Sequence, residues 1–285
     1  MGLALVETIS ELRGRLGRMR AAGPIGLVPT MGALHAGHAS LIAQARRETT
    51  TVVVSIFVNP TQFDRPEDLE RYPRPLDADL ALCQKLGVDV VFAPSPAEMY
   101  PVPLELTVEV GRLADHLCGR YRPGHFRGVA TVVLKLFQIV QADKAYFGEK
   151  DAQQLAIVRR LVSDLNVPVS IVGVPTVREP DGLALSSRNA RLSAAERPLA
   201  TSLYRALKEV KEAVDAGISD AAELKRRGSE QIPRDDRLTL EYLEIVEPVD
   251  FQPVATVNFP VVAAGALWVG TTRLIDNMRC TPGER

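Results

Sequence analysis

The amino-acid sequence predicts an α/β protein in which helices alternate with the strands of a parallel sheet. Apolar, β-branched runs with little polar alternation occur at residues 25–29, 51–58, 88–93, 144–147 and 169–174. Helical patterns separate these runs at residues 39–48, 77–86, 129–141 and 151–165. Strands that are apolar on both faces and alternate with helices are typical of a parallel sheet covered on both sides. We therefore expect a Rossmann-like first domain.

The two ends of the chain are predicted to differ from this sheet. Residues 1–20 alternate Leu and Val with charged side chains, which predicts an amphipathic helix and not the apolar core of a signal peptide. Near the other end, helical patterns at residues 194–216 and 219–232 precede strand patterns at residues 239–246 and 261–269. This order predicts a smaller α+β domain. We place the boundary within residues 177–191 and expect domains of residues 1–176 and 177–285.

Composition argues against several classes of protein. The 285 residues are 46% hydrophobic and 24% charged with a formal net charge of −1, which indicates an ordinary globular core and no nucleic-acid partner. The longest apolar run, residues 261–269, is too short to cross a bilayer, so no membrane partner is expected. Cys83, Cys118 and Cys280 are scattered, which argues against a disulfide framework and predicts a cytoplasmic location.

A loop with two histidines follows the predicted strand at residues 25–29. Residues 29–38 have the sequence Pro-Thr-Met-Gly-Ala-Leu-His-Ala-Gly-His and lead into a predicted helix. The first N–H groups of a helix favour an anion, and glycines allow its close approach, so this loop predicts a phosphate-binding site. His35 and His38 are three residues apart and would face one ligand. Two alternatives stay open: the histidines could be structural, or they could bind zinc, although no cysteine pair at ligand spacing accompanies them.

Other polar segments are predicted at the same edge of the sheet. Residues 59–63 and 148–151 each follow a predicted strand, and ligands of parallel sheets bind beyond the carboxyl ends of the strands. Lys150 supplies a mobile positive charge for a phosphate, although this segment could equally be a solvated helix start. Asp77 and Asp79 precede a predicted helix, where carboxylates could hold Mg²⁺ or cap the helix.

The predicted boundary between the domains also carries polar side chains. Residues 181–189 include Ser186, Ser187 and Arg188, which suit triphosphate oxygens, but a plain linker would have a similar composition. Arg122 lies in a basic turn that could hold a carboxylate or a phosphate. The sequence contains no Walker A loop, Gly-x-Gly-x-x-Gly motif or Gly-x-Ser-x-Gly elbow, which weighs against hydride transfer and covalent acyl catalysis.

Several of these segments match one known family as a set. They are residues 29–38, Phe-Val-Asn-Pro-Thr-Gln-Phe at 57–63, Arg-Pro-Gly-His-Phe-Arg-Gly at 122–128 and Phe-Gly-Glu-Lys-Asp at 147–151. Residues 181–189 and Thr-Arg-Leu-Ile-Asp-Asn at 272–277 match as well. Together they strongly resemble the pantothenate synthetase family, which belongs to the nucleotidyltransferases with a His-x-Gly-His loop. The resemblance covers nearly the whole chain.

The resemblance implies an ATP-dependent ligase that joins (R)-pantoate to β-alanine. The pantoate carboxylate would attack the α-phosphorus of ATP, giving pantoyl adenylate and pyrophosphate. The amine of β-alanine would then attack the acyl carbon and release AMP. Such a reaction needs no protein nucleophile, which agrees with the missing motifs. The resemblance further implies Mg²⁺ as a cofactor and a homodimer.

The same resemblance assigns roles to individual residues. The implied catalytic residues are His35, His38, Lys150, Ser186 and Arg188, with His38 at the position usually assigned to an acid catalyst. The residues implied to bind ATP are Pro29, Thr30, Met31, Gly32, Ala33, Leu34, His35, Ala36, Gly37, His38, Gly148, Glu149, Lys150, Asp151, Val177, Leu185, Ser186, Ser187 and Arg188. Those implied to bind pantoate or β-alanine are Asn59, Gln62, Arg122 and Gln154, and Asp79 is the candidate Mg²⁺ ligand.

Three positions depart from the family's pattern without removing a phosphate ligand. Leu185, Ala152 and Cys118 stand where relatives commonly have Met, Tyr and Glu. Two other functions were weighed against the ligase. Nucleotidyl transfer to a phosphate is disfavoured because the neutral amides of Gln62 and Gln154 suit hydroxyls and a single carboxylate better. A nucleotide-sensing module without turnover is disfavoured because the implied catalytic side chains are all present.

Overall fold

The computed structural model describes residues 2–283 and divides the chain into two compact units. The first unit holds the chain up to Val110 together with Arg122–Glu149 and Ile157–Pro175. The second unit holds Gly111–Tyr121, Lys150–Ala156 and the chain from Thr176 onward. The last junction lies beside the boundary predicted at residue 177. The two short segments of the second unit, however, interrupt the part of the chain that was predicted to form one domain.

The first unit contains a six-stranded sheet in which all strands are parallel, so the predicted fold class is confirmed. In the spatial order β1-β4-β3-β2-β5-β6, the strands are β1 (Ala4–Val6), β2 (Ile25–Thr30), β3 (Thr51–Ile56), β4 (Val90–Phe92), β5 (Lys144–Gly148) and β6 (Ser170–Val174). The α-helices of the whole chain are α1 (Ile9–Met19), α2 (Ala36–Glu48), α3 (Pro66–Glu70), α4 (Leu76–Lys85), α5 (Pro96–Met99), α6 (Leu117–Tyr121), α7 (His125–Val140), α8 (Ala152–Asp164), α9 (Ser202–Asp215) and α10 (Ala221–Glu230). Among residues 2–283, no helix is long and apolar enough to span a membrane.

The centre of this sheet explains the unbroken apolar runs of the sequence. Val28 of β2 aligns with Val54 of β3, which aligns in turn with Val91 of β4, and all three side chains are fully buried. Ile42 of α2 packs in the same apolar cluster. A strand that is covered on both faces needs apolar side chains on both, so its sequence does not alternate. The carboxyl ends of β2, β3 and β5 therefore meet at one edge.

The N-terminus differs from the helix predicted over residues 1–20. Residues Ala4–Val6 form β1, which pairs in parallel with β4, and α1 begins only at Ile9. The Thr8 hydroxyl accepts the N–H of Glu11 at 3.3 Å and caps α1. The helix prediction was therefore wrong for β1, while Met1 lies outside the described residues. A three-residue strand is too short to show alternation, and its partner strand is distant in sequence.

The second unit contains an antiparallel sheet with β8 (Val261–Val269) between β7 (Leu238–Val246) and β9 (Thr272–Cys280). Helices α9 and α10 bury Leu207, Val210 and Leu224 in the same core as apolar residues of this sheet. Strand β9 was not predicted from the sequence, because polar side chains interrupt its apolar pattern. A two-residue turn joins β8 to β9, and Gly270 in that turn has a φ of +56°.

Candidate active site

The histidine loop of the first unit connects the end of β2 to the start of α2. Gly32 and Ala33 both adopt left-handed backbone conformations, with φ of +81° and +50°. The two oxygens of the Asp79 carboxylate stabilise this unusual bend. Oδ2 accepts the N–H of Ala33 at 2.9 Å, and Oδ1 accepts the N–H of Leu34 at 2.7 Å. The loop is therefore held by the Asp79 side chain of α4, a helix that follows α2, β3 and α3 in the chain.

His35 and His38 cap α2 with their own ring nitrogens. The Nδ1 atom of His35 accepts the N–H of Gly37 at 3.1 Å, and Nδ1 of His38 accepts the N–H of His35 at 3.3 Å. This reciprocal capping places the ring centroids 4.2 Å apart. A ring nitrogen that accepts a hydrogen bond carries no proton, so in the neutral ring the proton is on Nε2. Both histidines thus carry an Nε2–H donor.

Gly37 is required by this arrangement. A Cβ atom added at Gly37 would lie 2.8 Å from Cε1 of His35, closer than side-chain carbons approach one another. The two histidines therefore have a structural role, because their Nδ1 atoms cap α2. Residues 2–283 contain no cluster of three or more His, Cys, Asp or Glu side chains that could hold a metal ion.

Asp79 has a different environment from the one expected of a metal ligand. It is only 3% exposed, and each of its oxygens accepts a backbone N–H of the histidine loop. Burial raises the pKa of the Asp79 carboxyl above its ordinary value, and the two N–H donors oppose this shift without cancelling it. The contacts indicate a role in holding the loop. Binding of Mg²⁺ by Asp79 stays a prediction.

The end of β3 brings Gln62 to the histidine loop. The Oε1 atom of Gln62 accepts a hydrogen bond from Nδ2 of Asn59 at 3.0 Å, and its Nε2 atom lies 3.2 Å from the sulfur of Met31. Asn59 also donates to the carbonyl of Gly128 and accepts from the hydroxyl of Tyr100 at 2.8 Å. Since Asn59 is 1% exposed and engaged with protein groups, it is suited to orient Gln62, which keeps its amide donors toward Met31.

Arg122 contributes to the same region through the main chain of Gln62. Its guanidinium donates to the Gln62 carbonyl at 3.3 Å, and Nδ1 of His125 donates to that oxygen at 2.8 Å. Arg122 also pairs with Asp64 at 2.9 Å. Burial alone would raise the pKa of the Asp64 carboxyl, but the Arg122 guanidinium outweighs burial and holds that pKa below its ordinary value. The structure thus brings Met31 and Gln62, which follow the neighbouring strands β2 and β3, together with Arg122, which lies between α6 and α7.

The segment that follows β5 begins in the first unit and continues in the second. Gly148 and Glu149 belong to the first unit, while Lys150 opens a segment of the second unit. Within the second unit, the carbonyl of Lys150 accepts a hydrogen bond from the Asn277 carboxamide at 2.8 Å. The side chain of Gln153 is buried and fully engaged: it donates to the carbonyls of Leu113 and His116 and accepts the N–H of Cys118.

These contacts separate the two adjacent glutamines. Gln153 holds the segment Gly111–Tyr121, whereas Gln154 is half-buried and is not part of that hydrogen-bonded set. Binding of pantoate by Gln154 stays a prediction, and the engagement of Gln153 is compatible with it. Ala152 lies at the first position of α8.

The segment Val177–Arg188 of the second unit forms a short antiparallel turn. The N–H of Leu185 donates to the carbonyl of Val177 at 3.0 Å, so this N–H is engaged by the protein. Ser186 caps a 3-10 helix (Ser187–Arg191), and its hydroxyl oxygen accepts the N–H of Arg188 at 3.2 Å. The predicted triphosphate residues are thus adjacent in one ordered segment.

Cys118 lies in a polar cluster of the second unit. Its sulfur is 3.2 Å from the hydroxyl of Tyr242 and 3.6 Å from the guanidinium of Arg273. Arg273 also forms an ion pair with Glu241 at 2.5 Å, and both side chains are largely buried. Burial raises the pKa of the Tyr242 hydroxyl well above its ordinary value. The thiol therefore occupies an interior position, where a Glu would add a charge next to Glu241.

Sequence analysis missed several residues that support this site. Tyr100 and Arg178 stand in no recognisable binding pattern, and His125 belongs to the motif at residues 122–128 but was given no role; each of the three acts on another residue. The signal for Asp276 was present, since a carboxylate inside an apolar strand pattern seldom occurs without a partner. The partner of Asp276, which is Arg178, could not be identified from spacing.

Comparison with known proteins decides the family. Residues 4–279 match the family model of pantoate-beta-alanine ligase. The chain belongs to the pantoate–β-alanine ligase family. Among curated members, pantothenate synthetase of Thermotoga petrophila is 50% identical over 276 residues, which cover 96% of this chain and 99% of that protein.

A second group of relatives in the pantoate–β-alanine ligase family is longer. A bifunctional pantoate ligase/cytidylate kinase of Thermosynechococcus vestitus is 55% identical over 275 residues, which cover 95% of this chain and 54% of that protein. The chain thus spans about half the length of these bifunctional relatives, as it does for a second one from Synechococcus elongatus (52%).

Solved structures of pantoate–β-alanine ligases share this fold. Pantothenate synthetase from Thermus thermophilus superposes with a TM-score of 0.93 at 49% identity, covering 98% of this chain and 100% of that one. A pantoate–β-alanine ligase from Francisella tularensis has a TM-score of 0.81 at 37% identity and covers 97% of both chains. That structure is complexed with beta-gamma ATP and β-alanine.

Proposed function

We propose that this chain catalyses the ATP-dependent condensation of (R)-pantoate with β-alanine to give pantothenate, AMP and pyrophosphate, a step of coenzyme A biosynthesis. The observation that carries the proposal is the pair His35 and His38, whose Nδ1 atoms cap α2 and whose Nε2–H donors suit phosphate oxygens. Family membership over residues 4–279 and the nucleotide and β-alanine in the Francisella tularensis ligase support it.

The reaction proceeds in two substitutions. An oxygen of the pantoate carboxylate bonds to the α-phosphorus of ATP while the bond from that phosphorus to pyrophosphate breaks, and pyrophosphate leaves with the electron pair. The nitrogen of β-alanine then attacks the acyl carbon, the bond to the AMP oxygen breaks, and the nitrogen loses a proton. Positioning and charge stabilisation supply the acceleration, so no protein nucleophile is needed.

His38 acts in this scheme as a neutral hydrogen-bond donor. Its Nδ1 atom is occupied by the N–H of His35, so the ring offers Nε2–H to the charge that develops on departing pyrophosphate. Lys150, Ser186 and Arg188 add further donors and positive charge to the triphosphate. His35 contributes a second Nε2–H donor beside the first.

Pantoate is held by the two amide side chains. Asn59 occupies the Oε1 atom of Gln62, and the Nε2–H donors lie beside Met31, where they suit the hydroxyl and carboxylate oxygens of pantoate. Gln154 supplies the second amide. Arg122 acts through the Gln62 carbonyl, which it helps to fix.

Mg²⁺ is proposed to enter with ATP. This ion is commonly held by substrate phosphates with one or two carboxylates. Asp79 is the candidate carboxylate, although its oxygens already accept two N–H groups of the loop. We further propose a cytoplasmic homodimer, from the resemblance and the scattered cysteines, which sedimentation of the purified protein will test.

An assay with each substrate omitted tests the proposed function. Purified protein with MgATP and pantoate should form pyrophosphate up to about one equivalent of enzyme, and adding β-alanine should start continuous release of AMP and pantothenate. Formation of ADP would contradict the proposal. Full activity with a pantoate analogue that lacks both hydroxyls would contradict the assigned roles of Gln62 and Gln154.

A further inference from the structure

Strand β9 contains the Thr-Arg-Leu-Ile-Asp-Asn motif, which lies outside the predicted ATP- and pantoate-binding segments. Alternate residues of a strand face opposite sides of the sheet. Asp276 is buried on the same face as Thr272 and Leu274, while Asn277 faces the other side. Each of these two polar residues contacts a different segment that carries predicted ATP-binding residues.

Asn277 holds the main chain of Lys150. The Nδ2 atom of the Asn277 carboxamide donates to the Lys150 carbonyl at 2.8 Å. That carbonyl lies in the 3-10 turn (Glu149–Asp151) directly before α8, which carries Gln154 in its first turn. A hydrogen bond at this point fixes where the Lys150 side chain begins and where α8 starts.

Asp276 holds the segment that ends in the triphosphate residues. Its carboxylate forms a two-pronged ion pair with Arg178, with N–O distances of 2.5 and 2.9 Å. Arg178 in turn donates to the carbonyl of Gly182 at 3.0 Å, and its guanidinium lies 5.1 Å from the ring centre of Tyr204. Gly182 has a φ of +92°, and a Cβ atom there would lie 2.2 Å from that ring.

The two contacts are coupled through the strand itself. Oδ1 of Asp276 accepts the N–H of Asn277 at 2.8 Å, and Arg178 also donates to the Asn277 carbonyl at 3.2 Å. A displacement of either residue therefore moves both segments. Planar, two-pronged pairing gives directional control that a single charge contact lacks.

We propose that Asn277 and the Asp276–Arg178 pair are positioning residues for ATP, which set the Lys150 turn and the base of the Val177–Arg188 segment from one strand. The kinetic part of this inference, which concerns the KM for ATP, rests on the proposed ligase function. Its direct consequence is for nucleotide binding: removing the Asn277 donor weakens ATP affinity while the fold is retained.

The test compares Asn277→Leu with the unchanged protein and with Gln252→Leu. Leu is close in size to Asn and lacks the donor. Gln252 is the matched control, because its carboxamide also donates to a main-chain carbonyl, that of Arg112, at 2.9 Å. The measurements are affinity for a non-hydrolysable ATP analogue by calorimetry, the KM for ATP and for β-alanine, and thermal unfolding.

We expect Asn277→Leu to weaken binding of the analogue and to raise the KM for ATP by about tenfold or more, since small displacements of a binding group have effects of this order. The KM for β-alanine should stay within about twofold, as should all values for Gln252→Leu. Equal analogue affinity in folded Asn277→Leu and Gln252→Leu would overturn the proposal.

A second variant covers the case in which Asn277→Leu does not fold. Arg178→Lys keeps the charge but not the two-pronged geometry, and it should weaken analogue binding in the same direction. Unchanged affinity in Arg178→Lys would overturn the role of the ion pair. Binding of the analogue needs no turnover, so these results test the positioning residues separately from the reaction. If the unchanged protein forms no pantothenate, that result contradicts the proposed function and not the positioning role.

Discussion

The two segments that are proposed to hold ATP phosphates are built in different ways. In the first unit, the histidine loop is capped by its own residues His35 and His38, and Asp79 of α4 accepts two of its N–H groups. In the second unit, the Val177–Arg188 segment is held by Asp276, a residue of the last strand. The first segment is encoded mainly by neighbours in sequence, and the second depends on a long-range ion pair.

This difference has a physical consequence. Capping contacts within one helix turn form when the helix forms, so mutations there should affect chemistry more than stability. An ion pair between distant residues, mostly removed from solvent, contributes to folding as well as to geometry, because loss of one partner leaves the other charge buried. Mutations in the histidine loop should therefore lower activity more than stability. Mutations of the ion pair should also lower the free energy of unfolding.

The largest effect is expected from His38→Ala in the histidine loop. Loss of the Nε2–H donor should lower the rate of pantoyl-adenylate formation by about 10²- to 10³-fold, as removal of one charge-stabilising donor does in other enzymes. Loss of the cap should cost about 1 kcal/mol of unfolding free energy. Single-turnover formation of pyrophosphate and denaturant unfolding measure the two quantities.

The control for His38→Ala is Thr8→Ala. It removes the cap of α1, where the hydroxyl of Thr8 accepts a backbone N–H, and it is remote in sequence from the histidine loop. A comparable loss of stability with normal turnover is expected. A loss of turnover below tenfold in His38→Ala would contradict the catalytic role of that ring.

Asp276→Asn tests the second segment and should lower its stability as well as its affinity for ATP. Arg178 would keep its charge without a carboxylate partner, in a site where the Asp276 side chain is only 4% exposed. We expect a loss of about 3 kcal/mol of unfolding free energy. The control is Asp215→Asn, which breaks the exposed pair with Lys211 and should cost less than about 1 kcal/mol. Equal stability losses in the two variants would show that the buried pair has no special weight.

The same contrast explains what could be predicted from sequence. Strands β2 to β6 were located because their apolar runs are continuous, and the histidine loop because its histidines and glycines are contiguous. Strand β9 was missed, since Arg273, Asp276 and Asn277 interrupt its apolar pattern. Its partners lie about a hundred residues earlier in the chain, and no local periodicity encodes such pairings.

The glutamines show the same limit within the site. Two adjacent amides follow Lys150, and sequence alone could not show which one is engaged by the protein. The structure places Gln153 against the carbonyls of Leu113 and His116, which leaves Gln154 for the predicted contact with pantoate. No motif predicted that the Tyr100 hydroxyl donates to Asn59, because this contact depends on how the strands and loops pack.

Asp79→Asn tests the contact between α4 and the histidine loop, in which the Asp79 carboxylate accepts the N–H groups of Ala33 and Leu34. The amide can accept only one of the two N–H bonds and turns its NH₂ group toward the other donor. We expect the KM for ATP to rise by about tenfold, because one buried donor loses its partner. Asp77→Asn on the exposed side of the same helix is the control. The proposed binding of Mg²⁺ by Asp79 predicts that the concentration of Mg²⁺ giving half-maximal rate also rises in Asp79→Asn, and an unchanged concentration would contradict that part of the proposal.

The smallest effect is expected from Leu185→Met in the second segment. The two side chains have similar volumes, and exchanges that conserve volume usually cost less than about 1.5 kcal/mol even in a core. The N–H of Leu185 is already bonded to the carbonyl of Val177, so the backbone geometry here does not depend on the side chain. Leu185 is half-buried, which lowers the cost further. The KM for ATP and the turnover number of Leu185→Met should each stay within about twofold of the unchanged protein. A tenfold change in either would mean that the side chain itself contacts the nucleotide, and that this segment depends on local residues as the histidine loop does.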